Sequence, residues 1–206
     1  MSIHKIMSKS LLSLITCFFL ATSLLVSAEN MSEPQTRVKN ASDKMLKALE
    51  DNQAELEKSP EKIYSLVEDI LMPYFDFEKM SKLALGKNWR QLDKEQRVQF
   101  VEEFRLLLIR TYSTAMLEYT NEEIRLLPFR DDVSRKRVTV PMEVIQPAGP
   151  SIPMALSLFQ NDSSEWKVYD VKIDGISLVT NYRSSFATEI RNKGVDSLIS
   201  DLAERN

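Results

Sequence analysis

From Trp166 the chain alternates. Tyr169, Val171 and Ile173 fall on one face of an extended segment, and Val168, Asp170, Lys172 and Asp174 on the other. A period of two predicts a half-buried strand. After Gly175 the period changes. Leu178, Tyr182, Phe186 and Ile190 recur at helical spacing, and Gly194 stands where such a helix would end. A strand therefore passes its apolar face to an amphipathic helix across one glycine, and an apolar groove between sheet and helix is the expected result.

Upstream, Val38, Ala41, Met45, Leu46 and Leu49 have helical spacing. Ser59-Pro60-Glu61 has the order of an N-cap, a proline at the first helical position and an acid in the first turn. Ile63, Leu66, Val67 and Ile70 follow on one face until Pro73 ends the pattern. Asp76 is placed to cap a short helix carrying Phe77, Met80, Leu83 and Ala84 and closed by Gly86. Asp93 and Gln96 fit a capping box. The helix they open is expected to be the longest, from about Lys94 to Tyr119, with Phe100, Phe104, Leu108, Tyr112 and Met116 in its apolar stripe.

Past Asn121 alternation returns, at Ile124 and Leu126, at Val138, Val140, Met142 and Val144, and at Ile152, Met154, Leu156 and Leu158. Turn-forming stretches separate these segments, and Trp166–Asp174 is the last strand. A short helix, Val195–Ala203, ends the chain. Helices, then a four-stranded antiparallel meander, then C-terminal helices predict an α+β fold.

The N-terminus differs. His4, Lys5 and Lys9 precede an apolar run, Leu11–Val26, and Val26-Ser27-Ala28 has the small residues of a cleavage site. Residues 1–28 read as a secretory signal peptide, 29–36 as a flexible polar linker and 37–206 as the folded domain. Cleavage removes the only Cys (Cys17) and the only His (His4), and the loss of Lys5 and Lys9 takes the net charge from −3 to −5. The mature chain then has no disulfide, no Cys/His zinc site and no Ser-His-Asp or Cys-His nucleophile. A mildly acidic chain also lacks the basic face that nucleic acid requires.

Candidate chemistry is sparse. Asp76 and Glu78 read as cap and first-turn residues rather than an acid/base pair. Asp170 and Asp174, opposite the apolar stripe, read as solvated strand charges. Ser59–Lys62 matches S-x-x-K, but the S-D-N and K-T-G partners of that motif are absent. Gly86, Gly149, Gly175 and Gly194 form no phosphate-binding loop.

Four segments carry a resemblance: FDFEKMSKLALGKNWR (Phe75–Arg90), QRVQFVEEFRLLLIRTYSTAMLEY (Gln96–Tyr119), VIQPAGPSIPM (Val144–Met154) and WKVYDVKIDGISLVTNYRSSFATEIRNKGVDSLI (Trp166–Ile199). They resemble the MlaC, or toluene-tolerance auxiliary, family. The resemblance implies a soluble periplasmic phospholipid carrier, not an enzyme, with a fold related to the nuclear transport factor 2-like α+β cone. It implies a curved sheet and helices enclosing an apolar cavity for acyl chains, with the headgroup near solvent and no cofactor beyond the lipid cargo. The implied partners are an inner-membrane ABC transporter complex with its periplasmic substrate-binding subunit and an outer-membrane lipoprotein–porin complex, which together maintain outer-membrane lipid asymmetry. Nothing in the chain demands more than a monomer.

On this reading the cavity-lining candidates are Phe77 and Met80, Tyr112 and Met116, Val140, Met142 and Val144, and Val171, Ile173, Ile176, Leu178 and Tyr182. Arg183, Lys82 and Arg90 are candidates for steering a phosphate or an acidic docking surface. A volume at or above the upper end of the usual ~300–1,000 Å³ is expected for two chains. Two other classes remain open. One is a periplasmic adaptor whose apolar groove takes a peptide or partner helix. The other is an enzyme working with two facing carboxylates about 5–10 Å apart.

Overall fold

The computed structural model describes residues 31–118 and 121–205. The expected signal peptide, residues 1–28, lies outside them. The first helix, α1 (Glu33–Leu56), begins earlier than its apolar spacing suggests. Ser32 is its N-cap, the Ser32 N–H donates to the Gln35 side chain at 3.1 Å, and Pro34 is buried in the first turn. Residues 33–36, expected as linker, are therefore helical. A polar capping sequence preceded the first apolar residue and hid the helix start.

The second helix, α2 (Lys62–Ile70), starts later than expected. The carbonyls of Ser59 and Pro60 accept the N–H groups of Lys62 and Ile63, both at 3.1 Å, so Ser59–Glu61 forms a turn and Ser59 is not the cap. After a 3₁₀ turn at Met72–Tyr74 comes α3 (Phe77–Leu85), capped as expected by the Asp76 carboxylate on the Lys79 N–H at 2.8 Å. The Asp93–Gln96 capping box also forms, with bonds of 2.9 and 3.0 Å, and opens α4 (Lys94–Ser113). This helix gives way to a 3₁₀ segment at Thr114–Glu118, so at 20 residues it is shorter than α1, with 24.

The strands are β1 (Glu123–Leu126), β2 (Arg137–Ile145), β3 (Ile152–Gln160), β4 (Trp166–Ile173) and β5 (Ile176–Ser177), paired antiparallel in sequence order. The meander is the expected one with a short fifth strand added. Asp174 (φ 50) and Gly175 (φ 80) both occupy positive φ and turn the chain back so that Ile176 pairs with Ile173. That is the requirement of a two-residue type I′ hairpin, which Asp-Gly suits. The glycine thus folds β4 onto itself, and α5 (Leu178–Lys193) starts only after Ser177. The last helix, α6 (Val195–Arg205), runs slightly past its expected end.

One irregularity decides which side chains face inward. On β3, Ser157 pairs with Asp170 and Leu158 with Val168, so Tyr169 on β4 has no partner. A bulge of this kind bends the strand and shifts its alternation by one. Trp166 and Val168 therefore share the inner face with Val171 and Ile173, while the half-buried Tyr169 ring leaves the cavity wall and packs against Phe159, 5.9 Å away edge to face, and the helical core. The uninterrupted alternation expected for this strand put Tyr169 inside and Val168 outside, and it fails at the bulge.

The core has three parts. Met80, Phe100, Phe104, Phe186, Leu198 and Leu202 join α3, α4, α5 and α6, with Phe100, Phe104 and Phe186 in ring contact at 5.5 to 5.7 Å. Val138, Val140, Met142, Leu158, Trp166 and Val168 pack on the inner sheet face with Val38 of α1. Met45, Leu49, Ile63, Val67 and Ile109 tie α1, α2 and α4. Burial of side chains such as Phe104 contributes about 1.5–3 kcal/mol each relative to exposure.

Candidate functional site

Between the inner sheet face and the helices lies a cavity of about 420 Å³. The α1 helix supplies Val38, Ala41, Met45 and Leu49, one stripe at helical spacing. Val67, Leu71, Met72 and Phe75 come from α2 and the turn after it, Phe77 and Met80 from α3, and Leu108 and Tyr112 from α4, with Met116 in the 3₁₀ segment beyond. The sheet wall is made of cross-strand neighbours. Leu158 pairs with Val168, Leu156 with Val171, and Met154 with both Met142 and Ile173. Because strands alternate, these residues all project to one side.

Among the expected lining residues, Phe77, Met80, Tyr112, Met116, Met142, Val144, Val171, Ile173 and Leu178 stand on this wall. Three expected ones do not. Val140 is fully buried in the sheet core with Val38, Val138 and Leu158, opposite Leu156, but it does not line the cavity. Ile176 is 62% exposed, because the hairpin carries it to the tip of β5. Tyr182 lies one layer behind the wall, 5.2 Å from the Phe104 ring and 5.4 Å from Phe186, and neighbours Tyr112. Burial, and then the neighbouring Tyr182, push the Tyr112 phenol up to about 12.

The charged candidates also sit elsewhere. Lys82 pairs with Glu78 at 2.5 Å and lies over the Trp89 ring. Arg183 donates from Nε to the Leu83 carbonyl at 2.6 Å, tying α5 to α3, and Arg90 is exposed. None of the three reaches the wall. The cation that does is Arg37. Asp170, expected as a solvated strand charge, is 9% exposed and accepts the Val179 N–H at 3.1 Å and the Ser177 hydroxyl at 2.7 Å. The bulge turns its carboxylate onto the start of α5, where it satisfies an otherwise free helix donor. Among the described residues no His, Cys, Asp and Glu side chains gather in a metal-binding group.

The stripe of α1, the β3 row Ile152, Met154, Leu156 and Leu158, and the pair Trp166 and Val168 line the wall as well, beyond the residues the sequence singles out. The first two had the right periodicity and were missed only because periodicity does not say what a face opposes. Trp166 and Val168 required the bulge to be known.

Residues 39–204 match the sequence profile of the family described as MlaC protein. The chain is 26% identical over 192 residues to the intermembrane phospholipid transport system binding protein MlaC of Haemophilus influenzae, covering 90% of this chain and 89% of the relative. It is 31% identical over 192 residues to toluene tolerance protein ttg2D of Pseudomonas putida, covering 93% and 86%. In structure it is similar to the phospholipid-binding protein of Ralstonia solanacearum, solved in complex with a phospholipid, with a TM-score of 0.78 at 30% identity over 84% of this chain and 97% of that one. Sequence profile, relatives and fold agree over nearly all of the described residues, and the chain belongs to the MlaC family.

Proposed function

We propose that this chain is a periplasmic phospholipid carrier that takes the acyl chains of its cargo into the cavity between sheet and helices. The observation that carries this reading is the wall itself, built of apolar side chains from the helices and from four strands, with Trp166 and Val168 brought onto it by the bulge. The phospholipid complex of the Ralstonia relative supports it. So does the energetics. A buried CH₂ is worth about 0.8 kcal/mol, so exposing the ~30 methylenes of two chains costs on the order of 20 kcal/mol. Lipid does not cross water at useful rates against that cost, and a chamber that travels with the lipid removes it.

At about 420 Å³ the cavity is smaller than the volume expected for two chains. Its composition supplies the remedy. Met45, Met72, Met80, Met116, Met142 and Met154 all stand on the wall. Methionine has three rotatable bonds and a polarizable sulfur, so it repacks around differently shaped occupants at low cost. The wall yields as chains enter and collapses as they leave. Movement of lipid between an inner-membrane ABC transporter complex and an outer-membrane lipoprotein–porin complex is part of the same proposal, supported by the intermembrane transport system for which the Haemophilus relative is named.

The test is mass spectrometry of an organic extract from protein secreted to the periplasm and purified without detergent. Two-chain phospholipid at close to one per protein is the expected result. An empty extract from folded protein contradicts the carrier and favours an adaptor whose groove takes a peptide.

A further inference from the structure

Arg37 projects from the first turns of α1, its guanidinium 5.0 Å from the centre of the Tyr74 ring. Lys44 lies two turns further along the same helix. Its Nζ is 6.0 Å from that ring centre and 3.4 Å from the Tyr74 hydroxyl. Arg37 and Tyr74 belong to two spaces at once. They line the apolar cavity, and they also line a second pocket of about 400 Å³ bounded by Lys44, Asp69, Ile70 and Pro73. They are the partition between a greasy chamber and a more polar outer pocket.

The Nε of Arg37 is buried and has no hydrogen-bond acceptor among the described residues. A buried guanidinium N–H is normally satisfied, because leaving a charged donor unpaired is costly. The carboxylates nearby do not complete it. Glu165 feels the Arg37 charge, but its closest cation is Lys167 at 3.3 Å. Asp69 lines only the outer pocket. Two cations, one of them with an orphaned donor, and a tyrosine therefore meet where the apolar wall ends.

We infer that Arg37, assisted by Lys44, holds the phosphodiester of the bound lipid at this partition, with the acyl chains in the apolar cavity and the headgroup in the outer pocket. This rests on the carrier reading given above. The planar guanidinium offers paired donors that match two phosphate oxygens, and the ammonium adds a point charge. Recognition would stop at the phosphate, so lipids with different headgroups but a common phosphodiester would bind alike, and a neutral two-chain lipid would lose this anchor.

The experiment uses two probes with identical fluorophore-labelled acyl chains, phosphatidylglycerol and diacylglycerol. Each is titrated into delipidated wild-type protein, Arg37→Gln, Arg37→Lys and the Arg37→Gln/Lys44→Gln double variant, with thermal melts as the check on folding. The expected result is a tenfold or greater loss of phosphatidylglycerol affinity in the double variant, a smaller loss in Arg37→Lys, and diacylglycerol affinity unchanged throughout. Equal losses for both probes, or undiminished phosphatidylglycerol binding, would overturn the inference. Thermal stabilisation of wild type by inorganic phosphate that Arg37→Gln abolishes, with lipid affinities unaltered, would assign the cluster to free phosphate instead and overturn it too. Wild type that takes up neither probe contradicts the carrier reading itself.

Discussion

The Asp170 carboxylate accepts the backbone N–H of Val179 at 3.1 Å, so the last full strand of the sheet caps the helix that follows it. Ser177 completes the joint. Its hydroxyl donates to Asp170 at 2.7 Å and accepts the Thr180 N–H at 3.1 Å. Two of the helix's unpaired donors are thus satisfied from two directions. Asp170→Ala is expected to destabilise the fold by roughly 2 kcal/mol, since bonds to a charged, buried acceptor are worth about 1.5–3 kcal/mol. Asp170→Asn, which keeps one acceptor oxygen, is expected to cost less. Urea denaturation of both variants measures this, and a cost within about 0.5 kcal/mol of zero for the alanine, the range of an ordinary surface change, contradicts the joint.

Tyr112 stands on the cavity wall beside Tyr182 of the aromatic core, and its phenol is pushed up to about 12, chiefly by burial. An unfolded tyrosine titrates near pH ~10. The stabilisation that depends on the neutral phenol is therefore fully present below about pH 10 and is lost as pH rises through about 12. Tyr112→Phe keeps the packing of the ring and removes this titration. Its alkaline loss of stability between those limits is expected to be shallower by one proton's worth of slope. Denaturation midpoints across that range provide the check, and parallel curves would show that the phenol is not buried.

Val171 and Ile176 stand five residues apart in sequence but on opposite terms with the cavity: Val171 is 7% exposed on its wall and Ile176 is 62% exposed on the hairpin tip. Val171→Asp is expected to cut co-purifying lipid at least tenfold, and Ile176→Asp to leave it at the wild-type level. A buried unpaired carboxylate also costs stability. Ile173→Asp, at a half-buried wall position, repeats the test under less strain. Lipid lost equally from the Ile176 variant would mean that the hairpin tip, not the wall, governs cargo.

Much of this architecture was legible in the chain. The caps at Asp76 and Asp93, the meander and the change of period after Gly175 are local signals, and local physics produced them. What was not legible is relational. The bulge at Tyr169 depends on β3 as much as on β4, and no spacing within one strand announces it. The helical stripe of Val38, Ala41, Met45 and Leu49 was visible, but the sheet it opposes was not. Arg37 looked like any surface cation, and only its place over Tyr74 between two pockets sets it apart from Lys82, Arg90 and Arg183.

The most direct measurement loads the protein with a phospholipid carrying a photoreactive group in its acyl chain, irradiates it, and locates the crosslinks by peptide mass spectrometry. The expected attachment sites are Met142, Met154, Val168 and Val171, cross-strand neighbours on the inner face, together with Met45 and Met116 on the helices opposite. Crosslinks concentrated on Phe159, Tyr169 or Ile176, which the bulge and the hairpin turn away from the cavity, would contradict the account.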